Sequence, residues 1–169
     1  MCEKSRIARR MLLTAAAAAL ISAGVLVHAA EFTARVVAVE DGDTLMVQVD
    51  RRQMTIRLAD VIAPNLRQAY GRRARSSLES MCLNQDASIR ETGKDRAGHP
   101  LARVKCVGTD ASREQIHRGM AWVAPQDVGD SGLYRLQEVA RNSRKGLWAD
   151  SSPVPPWEWQ PPKKKSGGR

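Results

Sequence analysis

Two alternating runs meet at a turn that carries two carboxylates, and this junction restricts the chain more than any other stretch. Residues 32–39 and 44–49 are rich in β-branched and small apolar side chains. Asp41-Gly42-Asp43 between them leaves room only for a tight reversal. A second turn, Asp50-Arg51-Arg52, leads into a third β-rich run over residues 53–60, from which Arg57 projects. An acidic turn with an arginine on the following strand is how a small barrel assembles a cation and phosphate site. Pro64 cannot donate to a ladder, so pairing stops there and the chain to Gln68 reads as loop.

From Ala69 the period changes. Ala74, Leu78, Met81 and Cys82 fall on one helical face, with Arg72, Arg73, Arg75 and Glu79 outside. Two shorter strands follow near residues 87–91 and 101–107, separated by the polar loop of residues 93–100. Asp110 or Ser112 caps a helix running to Arg118, which Gly119 ends. A last helix spans residues 133–145, with Leu133, Leu136, Val139 and Ala140 facing inward, and stops at Gly146. Five strands and three helices in this order predict an α+β domain built on a small five-stranded β-barrel. Trp122, Trp148, Trp157 and Trp159 read as packing anchors. Because the expected strands contain a single aromatic, Phe32, a general barrel that stacks bases on its strands is disfavoured.

The ends have a different character. Lys4, Arg6, Arg9 and Arg10 precede the Ala/Leu/Val run of residues 11–27, and Val27-His28-Ala29 offers a cleavage site, so residues 1–29 read as a secretory signal peptide. Once it is removed, no stable membrane anchor is expected. Residues 30–150 form the expected domain. Residues 151–169 are a Pro/Trp-rich segment followed by a basic, disordered tail. Of the formal +9, the leader carries four basic groups and one acidic, and the last ten residues carry four basic groups, leaving +2 for the body. The basic tail attracts any polyanion in a salt-dependent way. Export leaves Cys82 and Cys106 as an even pair in an oxidising compartment. Two readings are open for them: a disulfide, stabilising by about 3 kcal/mol on a chain-entropy estimate, or two buried thiols.

A set of pieces in fixed order then resembles the staphylococcal nuclease-like (thermonuclease) family. They are Val39-Glu40-Asp41-Gly42-Asp43-Thr44, Ile56-Arg57-Leu58-Ala59, Ala63-Pro64, Tyr70-Gly71-Arg72, Lys94-Asp95-Arg96, Leu101-Ala102-Arg103-Val104, Glu114-Gln115 to Arg118-Gly119-Met120-Ala121-Trp122, Gly146-Leu147-Trp148 and Pro155-Pro156-Trp157-Glu158-Trp159. The resemblance implies an OB-fold barrel with three helices and, in active members, Ca2+-dependent hydrolysis of DNA and RNA phosphodiesters. Such a reaction needs oxygen ligands for calcium, a base within reach of the attacking water and fixed cations on the phosphate.

Carried over position by position, Asp43 matches the first metal aspartate, Asp41 its acidic neighbour and Arg57 the first phosphate arginine. The remaining positions depart from the pattern. The second metal aspartate is replaced by Ile62, the general-base glutamate by Asn65 and the second phosphate arginine by His99. Two positions where relatives carry tyrosines are Ala124 and Asp127. Asp60 lies on a strand and bend away from the vacated ligand position, Asn65 can orient water without taking its proton, and His99 lacks the fixed charge of arginine. Asp41 and Asp43 are also good turn residues in their own right, and Arg57 can pair with either of them instead of a phosphate. The resemblance therefore implies an exported, catalytically impaired nuclease-like protein with weakened Ca2+ binding that still binds nucleic acid or another anionic polymer. The alternatives are an active nuclease with an altered site, or a non-enzymatic accessory protein of envelope or exopolysaccharide production.

Overall fold

Period-two alternation in the first runs produces two antiparallel strands, β1 (Glu31–Val39) and β2 (Thr44–Val49). A bulge between Val36 and Ala38 resets the alternation. Val39 therefore follows Ala34 and Val36 into the core, where an unbroken strand would send Ala38. The computed structural model describes residues 31–126 and 128–162. The expected signal peptide, Asp127 and the lysine tail lie outside the described residues.

β3 (Arg52–Leu58) pairs with β2, placing Thr44 opposite Arg57. β5 (Asp86–Lys94) pairs with β1, and β6 (Pro100–Cys106) pairs antiparallel with β5. β6 then meets β3 in parallel, Arg57 opposite Leu101, which closes a five-stranded barrel in the order β3-β2-β1-β5-β6. Between β3 and β5 the chain makes the two-residue strand β4 (Val61–Ile62) and α1 (Gly71–Cys82). After β6 come β7 (Thr109–Asp110), α2 (Ala111–His117), β8 (Trp122–Val123) and α3 (Gly132–Asn142). A 3-10 turn at Gly146–Ala149 follows. Leu45, Val47, Ile56 and Leu58 from the barrel meet Leu78, Ile116 and Leu133 from the three helices in one core. The architecture is the expected α+β OB-fold barrel with three helices.

Several local expectations are corrected. The third strand stops at Leu58, two residues early, because Asp60 adopts a left-handed φ of 68° and turns the chain. Pairing then resumes as β4 against β8, Ile62 opposite Trp122. Asp110 is the cap of α2, accepting from the Arg113 N–H at 3.0 Å. Ser112 is buried instead, and its hydroxyl donates to the Ala59 carbonyl at 2.9 Å, tying α2 to the end of β3. α3 is shorter than expected. Leu133 and Ala140 face inward, but Val139 is 51% exposed because it lies about a third of a turn off their face.

Cys82 at the end of α1 and Cys106 at the end of β6 form a disulfide with a Cα separation of 5.2 Å. The thiol reading of that pair is thereby set aside. Among the described residues no helix is long and apolar enough to cross a membrane.

Candidate active site

The acidic turn is locked to the helices behind it. A Cβ on Gly42 would lie 2.5 Å from the Ala74 Cβ and 2.6 Å from the Ala63 Cβ, so only glycine allows α1 and the segment after β4 to close on the turn. Gln115 of α2, fully buried, donates from Nε2 to the Gly42 carbonyl at 2.6 Å and the Ala74 carbonyl at 3.0 Å. In the sequence Glu114-Gln115 is one of the pieces that carry the resemblance, but nothing there pointed to this bracing contact. Within the turn the Asp43 N–H donates to Asp41 Oδ1 at 3.0 Å, so Asp41 does the turn-shaping work expected of an aspartate at that place.

Asp43 is 3% exposed. Its Oδ2 accepts from the Ala63 N–H at 2.7 Å. Oδ1 accepts from the Thr44 hydroxyl at 3.0 Å and lies 3.4 Å from Arg57 Nη2. Burial pushes its carboxyl up to about 6, the charge of Asp41 adds to the rise, and Arg57, the Ala63 N–H and the Thr44 hydroxyl only partly oppose it. Arg57 spans two carboxylates, with Asp43 on one terminal nitrogen and Asp95 on the other at 3.5 Å. Its guanidinium is held above the ordinary value. Burial opposes this, but the charge of Asp43, the hydrogen bond to Asp95 and the charge of Asp41 outweigh it.

Asp95 is the pivot of the β5–β6 loop. Its Oδ1 accepts from the N–H groups of Ala97 and His99, both at 2.9 Å, while Oδ2 faces Arg57 and His99 Nδ1, the latter at 3.3 Å. Burial works against the charge of Asp95, yet hydrogen bonds from His99, Ala97 and Arg57 hold its carboxyl below the usual range. His99 is thus tied to the same carboxylate as Arg57. Sequence reasoning had Arg57 pairing with the acidic turn or a phosphate and missed Asp95. Its clue was the Asx-turn chemistry of Asp95-Arg96-Ala97-Gly98-His99.

Of the other two substituted positions, Asn65 turns to its own loop and Ile62 stays in the cleft. Asn65 Oδ1 accepts from the Arg67 N–H at 3.1 Å, so its side chain closes its own loop. Ile62 lines the cleft in front of the barrel. Asp60 pairs with Arg103 at 3.2 Å and accepts from the Gly129 N–H at 3.0 Å, bracing the far wall of the cleft. That cleft is about 770 Å³. Arg57, Lys94, Arg96 and Arg103 supply its cations, and Ile62, Ala124, Pro125 and Trp157 supply apolar surface. Trp157 packs on Trp122 as an anchor but stays 46% exposed and outside the core, whereas Trp122 and Trp148 are buried.

These residues fit a calcium ion poorly. Asp43 is buried and already accepts from the Ala63 N–H and the Thr44 hydroxyl, the position that the resemblance assigns to a second ligand is the hydrocarbon of Ile62, and among the described residues no three His, Cys, Asp or Glu side chains cluster to hold a metal. What the arrangement offers is a fixed guanidinium, flanking cations and an apolar wall. These can bind an anion and orient it, and the carboxylates that share the cleft, Asp95 and Asp60, are each already paired with an arginine.

Comparison with known proteins gives consistent likenesses. The family described as staphylococcal nuclease homologue matches residues 55–150, starting within β3. "Micrococcal nuclease" of Shigella flexneri is 35% identical over 160 residues, covering 88% of this chain and 91% of its own length. "Protein ParB" of Escherichia coli is 37% identical over 142 residues, 78% of this chain and 80% of its own. An "Uncharacterized endonuclease" of Escherichia coli O157:H7 is 36% identical over 132 residues, 78% of this chain and 86% of its own.

Proposed function

This chain belongs to the staphylococcal nuclease family, and from that premise we propose that it is an exported member with an impaired phosphodiesterase site whose cleft binds nucleic acid. The observation that carries the reading is the surroundings of Arg57. Arg57 pairs with Asp43, yet the position that the resemblance assigns to the second ligand is Ile62, and Asn65, at the position it assigns to the base, spends its side chain on Arg67. A missing general base costs about 10²–10⁴ in rate, and a missing fixed cation about 10²–10³. The two losses need not multiply, because groups of one site act together. The Cys82–Cys106 disulfide supports export, since such bonds persist in oxidising compartments.

A second reading, a working endonuclease with an altered site, draws on the relatives whose names include nuclease or endonuclease. One experiment separates the two. The mature protein, made in a nuclease-free host, is assayed on DNA and RNA with Ca2+ beside a variant carrying Ile62→Asp, Asn65→Glu and His99→Arg. The impaired-site reading expects cleavage only from the variant, at least 100-fold or so above the parent. Equal turnover by both refutes it, and Ca2+-dependent cleavage by the parent that Asp43→Ala abolishes establishes the second reading.

A further inference from the structure

The residues after the 3-10 turn form a strap that returns across the front of the barrel. Gln68, in the loop behind Pro64, donates from its side chain to the Val154 carbonyl. Pro155 and Pro156 stiffen the next step, and the N–H groups of Glu158 and Trp159 close a turn on the Pro155 carbonyl at 3.0 and 3.1 Å. Trp157, at the crest of this turn, packs edge-on against Trp122 with ring centroids 5.9 Å apart. Trp122 is in turn the ladder partner of Ile62. The strap thus delivers an indole to the cleft wall and fixes it on one side, while 46% of its surface stays open.

An exposed tryptophan alone is ordinary. This one lines a concave site together with Lys94 and Arg96, with Arg57 and Arg103 that are paired with Asp95 and Asp60, and with the apolar surface of Ile62, Ala124 and Pro125. A ligand suited to both walls carries anionic groups joined to flat apolar ones. An acidic sugar polymer meets the cations equally well and can lay a C–H face on indole, but the hydroxyls around every ring edge need partners that Ile62, Ala124 and Pro125 do not supply. A nucleobase has an apolar face that such a slot can cover, and only an unpaired base can present that face.

We propose that Trp157 is the base-stacking platform of the cleft and gives it a preference for single-stranded nucleic acid, with the adjoining phosphates on Arg57, Lys94, Arg96 and Arg103. The inference rests on the nucleic-acid reading of the cleft given above. The strap replaces a stacking surface that the strands do not supply. Because its proline-stiffened turn is already formed, little ordering is required when a base arrives.

The test measures binding of the mature chain in EDTA to a short oligothymidylate, to an abasic strand with the same phosphates and to the matching duplex. The protein is compared with Trp157→Ala and Trp157→Phe. Trp157→Ala should weaken oligothymidylate binding about 5- to 100-fold, leave the abasic strand unchanged and remove the preference over duplex. Trp157→Phe should retain most of the affinity. Equal weakening on base-bearing and abasic strands, or no effect of either substitution, overturns the role of Trp157 while leaving the cleft a nucleic-acid site. If the parent binds neither strand, the nucleic-acid reading itself fails. Trp157-dependent binding of a polyuronate in place of the oligonucleotide would assign the platform to sugars.

Discussion

Replacing Asp43 with asparagine should make the protein more stable at neutral pH, although it removes the most deeply buried charge in the site. The Asp43 carboxyl sits at about 6 in the folded protein, against an ordinary 3.8. Between those two values the native state holds a proton that the unfolded chain has released, so stability falls as pH rises through that window. About two pH units at 1.36 kcal/mol each make the ionised form cost about 3 kcal/mol above pH 6, with no cost below pH 3.8 where both states are protonated. Asparagine can still accept the Ala63 N–H and never ionises. Asp43→Asn is therefore expected to gain about 2–3 kcal/mol at pH 7.5, a rise in melting temperature on the order of 10 °C. Thermal unfolding of both proteins in EDTA from pH 3.5 to 8 measures it, and the gap between them should open between pH 4 and 6.5. A variant less stable than the parent at pH 7.5, or a gap independent of pH, would refute the reasoning. Added Ca2+ is a useful control, because with Ile62 in place it should recover little of this penalty for the parent.

Other perturbations test the framework around the site. Replacing both Cys82 and Cys106 with serine should cost about 3 kcal/mol, read from denaturant unfolding, and the parent in reductant should match the variant. Gln115→Met keeps the volume but leaves the Gly42 carbonyl without its buried donor, so a loss of about 1–3 kcal/mol is expected, together with faster hydrogen exchange at the acidic turn. Arg57→Ala should lower oligonucleotide affinity and flatten its salt dependence by about one phosphate contact, whereas Arg75→Ala, on the exposed side of α1, should leave both unchanged.

The parts of the fold that were legible in advance are those whose cause is local. Alternation and Asp-Gly-Asp placed β1 and β2, the 3.6 period placed the buried face of α1, and two capping candidates, Asp110 and Ser112, bracketed the start of α2. What stayed hidden depends on closure. The β4–β8 pairing is only two residues long, too short for any period to show, and it exists because the barrel end and α3 bring Ile62 and Trp122 together. Arg57 and Asp95 are 38 positions apart and meet only because β6 returns to β3. Trp157 looks like another core aromatic in sequence, and its exposure follows from where the strap can lie once Trp122 and Trp148 have filled the space beneath it. The same asymmetry applies to the site. That Ile62, Asn65 and His99 depart from the pattern the resemblance implies is a matter of identity and needs no coordinates. What the remaining groups do is a matter of aim: Asn65 toward its own loop, His99 toward Asp95 and Trp157 toward the cleft. With Arg57, Lys94 and Arg96 in its lining and an indole delivered from outside the barrel, the cleft is, in the reading we propose, equipped to hold a strand rather than to cut one.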